Sequence, residues 1–320
     1  MDGSVLRGRY VGCLVGAAVG DALGMPNEDV PISKSREYYP GGVTDFTAPH
    51  ANTHCCALAA GQHTDDTQLM MALAEALVEK GGFDPPCCVK KLIEWYHQEN
   101  HQKRYRGKTT TTAIEKLIGG LPWADSGVDS TGCGGSTRAI PFGLFYYRDK
   151  KKIVEYCSAQ CQITHGNQIA KDGAVCVGLT VGSLIGGRIP SVEDLGSSVR
   201  SPEFKESLSN LEDALQKERA IGDAIARLGN CSLATEAVSL ALFIFLRRPR
   251  QFDEPVLLAA NALTDSGGDT DSIAFLVGSF SGAYNGIGAI RQDWVAKVEN
   301  SNRLQETADG LYKVVHGVSD

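Results

Sequence analysis

Apolar positions along this chain recur mostly at i, i+3, i+4 and i+7, the signature of helices that bury one face. In QHTDDTQLMMALAEALVEK, residues 62–80, the spacing of Leu69, Met70, Leu73, Ala76 and Leu77 predicts a helix starting just after Thr64. The same pattern predicts helices over 4–22, 66–80, 87–99, 109–119, 136–148, 150–163, 168–186, 203–228, 233–247, 254–263, 270–283 and 303–316. Alternating β-branched runs are scarce, so no substantial sheet is expected. Pro and Gly punctuation, as in GGFDPP (81–86) and GGRIPS (186–191), reads as turns between antiparallel helices. The expected fold is all-α, a many-helix orthogonal bundle forming a single domain over 1–320. Within it the more charged segment 187–230 is a looser excursion.

Glycine changes this picture. Gly8, Gly12, Gly16, Gly20 and Gly24 recur every four residues, which on a helix makes a smooth face for close approach of another backbone. A second row, Gly278, Gly282 and Gly286, lies in the C-terminal third. Neither segment has about twenty unbroken apolar residues, so buried helices are expected rather than membrane spans. Arg7 and Arg9 ahead of VGCLVGAAVG imitate a signal peptide, but Asp21 and the motif it opens favour a retained helix.

The formal net charge of −7 argues against a nucleic-acid backbone as the main partner. The one basic run, HQKRYRGK (101–108), reads as a solvated loop. Ten cysteines include two vicinal pairs and one CxxxC but no CxxC zinc framework, which suits a reducing, cytoplasmic compartment. His50, His54, Cys55, Cys56 and His63 likewise fit no zinc spacing and read as loop residues. No Ser-His-Asp order, nucleophile elbow or dinucleotide-binding glycine motif is present.

The chemistry lies in two acidic clusters. Asp65 and Asp66 stand between Thr64 and Thr67 at a helix start, where a Thr cap and first-turn acids suit the helix dipole. TDSGGDTDSIAFLVGSFSGAY (264–284) repeats the grammar with Asp269, Thr270, Asp271 and Ser272 after Gly267 and Gly268, which permit a sharp bend. If the clusters meet, their carboxylates repel, and protons or a multivalent cation must offset that. Carboxylate and hydroxyl oxygens favour hard cations, Mg²⁺ first and then Mn²⁺ or Ca²⁺. The number of acids suits two ions bridged by a shared aspartate.

Five motifs in order, GDALGMPNE (20–28), HTDDTQ (63–68), STGCGGSTRAIPFGL (130–144), THGNQIA (164–170) and SGGDTDSIA (266–274), resemble the ADP-ribosylglycohydrolase family. That family is also catalogued with the J1-crystallins of the lens, and the resemblance runs over nearly the whole chain. It implies an all-α fold around a binuclear Mg²⁺ centre, with Mn²⁺ as a substitute. The implied metal ligands are Thr64, Asp65, Asp66, Asp269, Asp271 and Ser272, the last a Thr in many relatives. The implied catalytic residues are Glu28, Asp65 and Asp66. By its own residues Glu28 reads as a surface acid after a Pro-Asn turn, whereas the resemblance places it beside the metals on a mobile loop.

The implied ADP-ribose contacts are Ser130, Gly132, Cys133, Gly134, Gly135, His165 and Gly268. Glycines 132, 134 and 135 would let backbone N–H groups reach phosphate oxygens. Cys133 stands where many relatives have Asn, Thr137 replaces a usual Met, and Ser130 stands where arginine-directed relatives carry an acid. The expected reaction is hydrolysis of an N- or O-glycosidic bond to an ADP-ribosyl group on a protein or small molecule, arginine being the less favoured acceptor. No nucleic-acid or membrane partner is expected. Two other readings stand beside it: a lens-crystallin-like structural protein on the same fold, and a module that binds ADP-ribose without cleaving it.

Overall fold

A computed structural model of the chain describes residues 2–98, 104, 106–217 and 220–318. Its helices are α1 (Gly3–Gly24), α2 (Ile32–Tyr38), α3 (Asp65–Lys80), α4 (Pro85–His97), α5 (Lys108–Ile118), α6 (Gly134–Thr137), α7 (Ile140–Phe145), α8 (Lys150–Gln162) and α9 (Gln168–Ile185). They continue with α10 (Val192–Gly196), α11 (Pro202–Gln216), α12 (Ile221–Leu228), α13 (Ala234–Arg247), α14 (Asp253–Ala260), α15 (Thr270–Asn285), α16 (Gln292–Lys297) and α17 (Ser301–His316). Among the described residues the only β-type pairings are isolated bridges, Val128 with His165, Gly132 with Leu233 and Thr264 with Gly267.

The two glycine rows meet. From Tyr10 to Gly24 every residue of α1 is buried, and α15 is buried from Thr270 to Ala283. A Cβ added at Gly16 would lie 2.4 Å from the Gly278 carbonyl oxygen, and one at Gly20 would lie 2.0 Å from that of Ala274. A Cβ at Gly12 would meet Gly282 O at 2.6 Å and one at Gly24 would meet Thr270 O at 2.2 Å. Backbone therefore packs on backbone along the length of both helices. Thr270 Oγ1 donates to Gly24 O at 2.8 Å and locks the end of α1 to the start of α15. This pairing sets the acids that follow α1 beside those that open α15.

Most expected helices are present, with three differences. The single helix expected over 136–148 is broken into α6 and α7, because Pro141 has no N–H to continue the ladder. The helix expected over 203–228 is two: Lys217 ends α11, Ala220 has extended ψ of 157°, and α11 and α12 each pack on α13. Residues 218 and 219 between them, the end of the helix expected over 87–99, and 101–103 and 105 of the basic run lie outside the described residues. The short helices α2, α10 and α16 carry too few turns for a visible period. Among the described residues α9 is the one helix long and apolar enough to cross a membrane, and 78% of that window is buried inside the fold.

Candidate active site

Each acid is held by the local chemistry of a helix end. Thr64 caps α3, its hydroxyl accepting from Asp66 N at 3.4 Å. Asp21, fully buried in α1, accepts from Thr64 N at 2.8 Å, Thr67 N at 3.1 Å and Thr67 Oγ1 at 2.6 Å. It thus satisfies α3 N–H groups that have no partner within the helix. On the other side Asp269 N donates to Asn230 O at 2.8 Å, and Asn230 Nδ2 donates to Ala262 O and Gly267 O. Gly267 adopts φ of +90°, which lets the chain turn sharply into α15. Asp29 N donates to Gly268 O at 2.9 Å, tying Glu28 and its neighbour to that turn.

The two acidic clusters converge. Ser272 Oγ donates to Asp66 Oδ2 at 2.7 Å, and Thr137 Oγ1 donates to Asp66 Oδ1 at 2.9 Å. Glu28, Asp269 and Asp271 each present an oxygen such that all three lie within 4.8 Å of one another, and all three are buried. Asp271 Oδ1 is buried with no hydrogen-bond partner among the described residues. A buried carboxylate oxygen lacking a donor, set among other carboxylates, fits a hard cation well. Glu28 is therefore a buried member of this group, not the surface acid that its Pro-Asn context suggests.

Electrostatics follow from this crowding. Burial, then repulsion from Asp66, pushes Asp269 up to about 6 and Asp21 up to about 7. Glu28, Asp65 and Asp271 are held well above the carboxylate range, first by burial and then by Asp269, Asp66 and Glu28 respectively. Asp66 is raised by burial as well, but the hydroxyls of Ser272 and Thr137 and the charge of Arg138 oppose that rise.

These acids floor a cavity of about 340 Å³. Glu28, Asp65, Asp66, Asp269, Asp271 and Ser272 line one part, while Ser130, Gly132, Cys133, Gly134 and His165 line another. The 130–134 loop is pinned by Cys133 N to Ser232 O at 2.8 Å and Ala234 N to Thr131 O at 2.8 Å. Gly107, Lys108 and Thr109 also line the cavity, with Gly107 N donating to Asp65 Oδ2 at 3.4 Å. Thr64, Gly135 and Gly268 are not among the lining residues. Gly135 faces away, since a Cβ there would meet Cys161 Sγ at 2.3 Å.

Several residues at the site escape a reading of sequence alone. Asp21 signals itself as the lone charged residue of α1 after Arg9, but the sequence does not say that it caps α3. Cys55, grouped by sequence with loop residues, is buried with its thiol 3.3 Å from Glu28 Oε2. Cys133 places its thiol 3.2 Å from Asp269 Oδ2. All ten cysteines are free.

Known proteins resemble this chain in sequence and in fold. The ADP-ribosylglycohydrolase family profile matches residues 2–320. The chain is 33% identical to an uncharacterized protein of Archaeoglobus fulgidus, over 96% of both chains. It is 30% identical to the ADP-ribosylarginine hydrolase Tri1 of Pseudomonas putida, over 95% of this chain and 78% of that one. Human ADP-ribosylhydrolase ARH3 is 24% identical over 96% of this chain and 93% of its own. A solved ADP-ribosylglycohydrolase-related protein complex superposes with a TM-score of 0.76 at 24% identity, covering 98% of this chain and 99% of that chain. The chain belongs to the ADP-ribosylglycohydrolase family.

Proposed function

We propose that the chain hydrolyses the N- or O-glycosidic bond joining an ADP-ribosyl group to an acceptor, with two Mg²⁺ ions, replaceable by Mn²⁺, held in the acidic cleft. The observation that carries this reading is the buried cluster of Glu28, Asp269 and Asp271, in which Asp271 Oδ1 lacks a hydrogen-bond partner, in a chain of this family. Asp269, Asp271 and Ser272 would hold the ions from one side, and Thr64, Asp65 and Asp66 from the other. When bound, the ions offset the repulsion among these carboxylates and supply a polarised water for attack at ribose C1.

The protein's own groups do the rest. Glu28, whose carboxyl is biased toward the protonated form, manages the proton of the water or leaving group. Asp65 and Asp66 orient the attacking side, with Asp66 fixed by two hydroxyl donors. The loop of Gly132, Cys133 and Gly134, together with His165, binds the diphosphate-ribose, while Gly135 packs that loop on Cys161 and Gly268 shapes the turn that presents Asp269. Residues 1–320 act as one unit in this reading, because α1 and α15 come from opposite ends of the sequence and jointly frame the cleft.

The acceptor we favour is not arginine, although the Tri1 relatives are named for it. A guanidinium leaving group is best held by a free carboxylate in bidentate pairing. Here Ser130 offers a hydroxyl that already accepts from Thr109 Oγ1 at 3.1 Å, and the acids lining the cavity belong to the metal cluster. A protein serine or a small-molecule conjugate fits this cavity better.

The test is release of ADP-ribose from serine-linked, arginine-linked and small-molecule conjugates, with and without Mg²⁺, by the wild type and the Asp269→Ala, Asp271→Ala double variant. Mg²⁺-dependent release lost in the variant supports the reading. Binding of ADP-ribose without release from any conjugate would overturn it in favour of a binding module.

A further inference from the structure

His165 and the two side chains behind it form a hydrogen-bond chain whose direction is dictated by donor and acceptor chemistry. Arg138 is fully buried and donates from Nη2 to Thr164 Oγ1 at 2.5 Å. A guanidinium has only donors, so the Thr164 oxygen accepts there and its hydroxyl hydrogen remains for a second contact. That contact is His165 Nδ1, 2.8 Å away. Among the described residues Thr164 Oγ1 has no third hydrogen-bond partner. A proton on Nδ1 would make Thr164 accept from both sides and bury its own O–H unpaired, which is unfavourable. Nδ1 is therefore the acceptor.

The ring itself is neutral, since burial and then the charge of Arg138 hold His165 down to about 3. A neutral imidazole that accepts at Nδ1 carries its proton on Nε2. Nε2 faces the glycine loop: a Cβ added at Gly132 or Gly134 would lie 3.5 Å from it. The backbone fixes the ring's base, with His165 N donating to Cys161 O at 2.7 Å and His165 bridged to Val128.

We infer that Arg138 and Thr164 are positioning residues that hold His165 as the Nε2–H tautomer, so that it donates a hydrogen bond to an acceptor oxygen of the substrate's diphosphate-ribose beside Gly132 and Gly134. The tautomer follows from the protein alone, whereas the identity of the acceptor rests on the ADP-ribosyl reading above. An Nε2–H in this place is matched to an oxygen that only accepts, such as an anionic phosphate oxygen, and rejects a donor at the same position.

Two measurements test this. Long-range ¹H–¹⁵N spectra of histidine-labelled protein, with His165 signals assigned by their loss in His165→Asn, report which ring nitrogen is protonated. The expected wild-type result is a protonated Nε2 and a bare Nδ1, unchanged from pH 5 to pH 9. A protonated Nδ1, or two averaged nitrogens, overturns the inference whatever the ligand. Titration with ADP-ribose then compares the wild type with Thr164→Val, which lacks the hydroxyl, and Thr164→Ser, which keeps it. Thr164→Val is expected to lose the single tautomer and about tenfold in affinity, the worth of one hydrogen bond, with both restored in Thr164→Ser. Unaltered affinity in a folded Thr164→Val with an averaged tautomer overturns the donor role. A wild type that shows the expected tautomer but does not bind ADP-ribose would instead overturn the proposed function.

Discussion

Ser272 Oγ and Asp66 Oδ2 lie 2.7 Å apart although 206 residues separate them, and this one hydrogen bond joins the two acidic clusters. The Ser272 hydroxyl opposes the rise that burial gives the Asp66 carboxyl and stands among the oxygens proposed to hold the cations. Ser272→Ala is expected to weaken Mn²⁺ binding by about 10–100-fold, the usual effect of removing a group that orients a metal ligand. Ser272→Thr, which retains the hydroxyl, is expected to bind nearly as well. Calorimetric titration checks both; equal affinity in Ser272→Ala would remove Ser272 from the centre.

The raised carboxylates make stability depend on pH with a definite sign. Below about pH 4 the buried acids are protonated in both folded and unfolded chains, so they add nothing. As pH rises, the unfolded chain loses those protons first, while Asp269 and Asp21 retain theirs to about 6 and about 7. The folded state then binds more protons than the unfolded state, and stability falls through this window. A divalent cation favours the ionised acids and reverses the loss. Thermal melts should show the gain in Tm from Mg²⁺ over EDTA growing between pH 5 and pH 8. A gain that stays constant across that range would contradict the cluster's role.

Much of this site could be read from the chain because its elements carry strong local signals. Thr64 to Thr67 and Gly267 to Ser272 announce helix starts and hard ligands together, and glycines spaced every four residues announce a close helix pair. Pairing of those rows is what brings the acids together, and either row by itself does not name its partner. Burial of Glu28 could not be read locally, since it depends on Asp29 bonding Gly268 across a turn far along the sequence. Cys55 gave no signal at all, for its place beside Glu28 is set by an irregular loop without periodicity. The break before α7 was legible in Pro141, which the apolar period around it masks.

The α1–α15 contact predicts opposite effects for two substitutions of one kind. Gly20→Ala puts a methyl 2.0 Å from the Ala274 carbonyl oxygen, a backbone atom that cannot rotate away. The helices must separate, at a cost toward the upper end of the ~1–3 kcal/mol range for overpacking. The shift also moves Glu28 relative to Asp269 and Asp271, so cation binding should weaken together with stability. Gly8→Ala meets nothing within 4 Å and should stabilise α1 by about 0.8 kcal/mol through helix propensity. Denaturant melts of both variants check the pair; a Gly20→Ala protein as stable as wild type would mean that the helices are not in backbone contact.

Glu299 lines a second cavity together with His63 and Arg104, apart from the acidic cleft. It accepts from Arg104 Nη2 at 2.8 Å and Gln62 Nε2 at 2.9 Å, and Arg104, itself buried, also donates to His63 O. His63 lies 3.3 Å from Glu299 but is held down to about 4, mainly by burial, and so is neutral near pH 7. Arg104 is then the charge that Glu299 balances. Glu299→Gln leaves a buried guanidinium without its counter-ion, which costs about 3 kcal/mol where such a pair is fully buried and less here because Glu299 is partly exposed. Beyond stability, Arg104 precedes Gly107, Lys108 and Thr109 of the acidic cleft's wall, and loosening it should release Gly107 from Asp65. The expected kinetic result is a several-fold rise in KM for an ADP-ribosylated substrate with a smaller change in kcat, the pattern of lost substrate binding. A Glu299→Gln enzyme with lowered stability and unchanged KM would confine this ion pair to structural support.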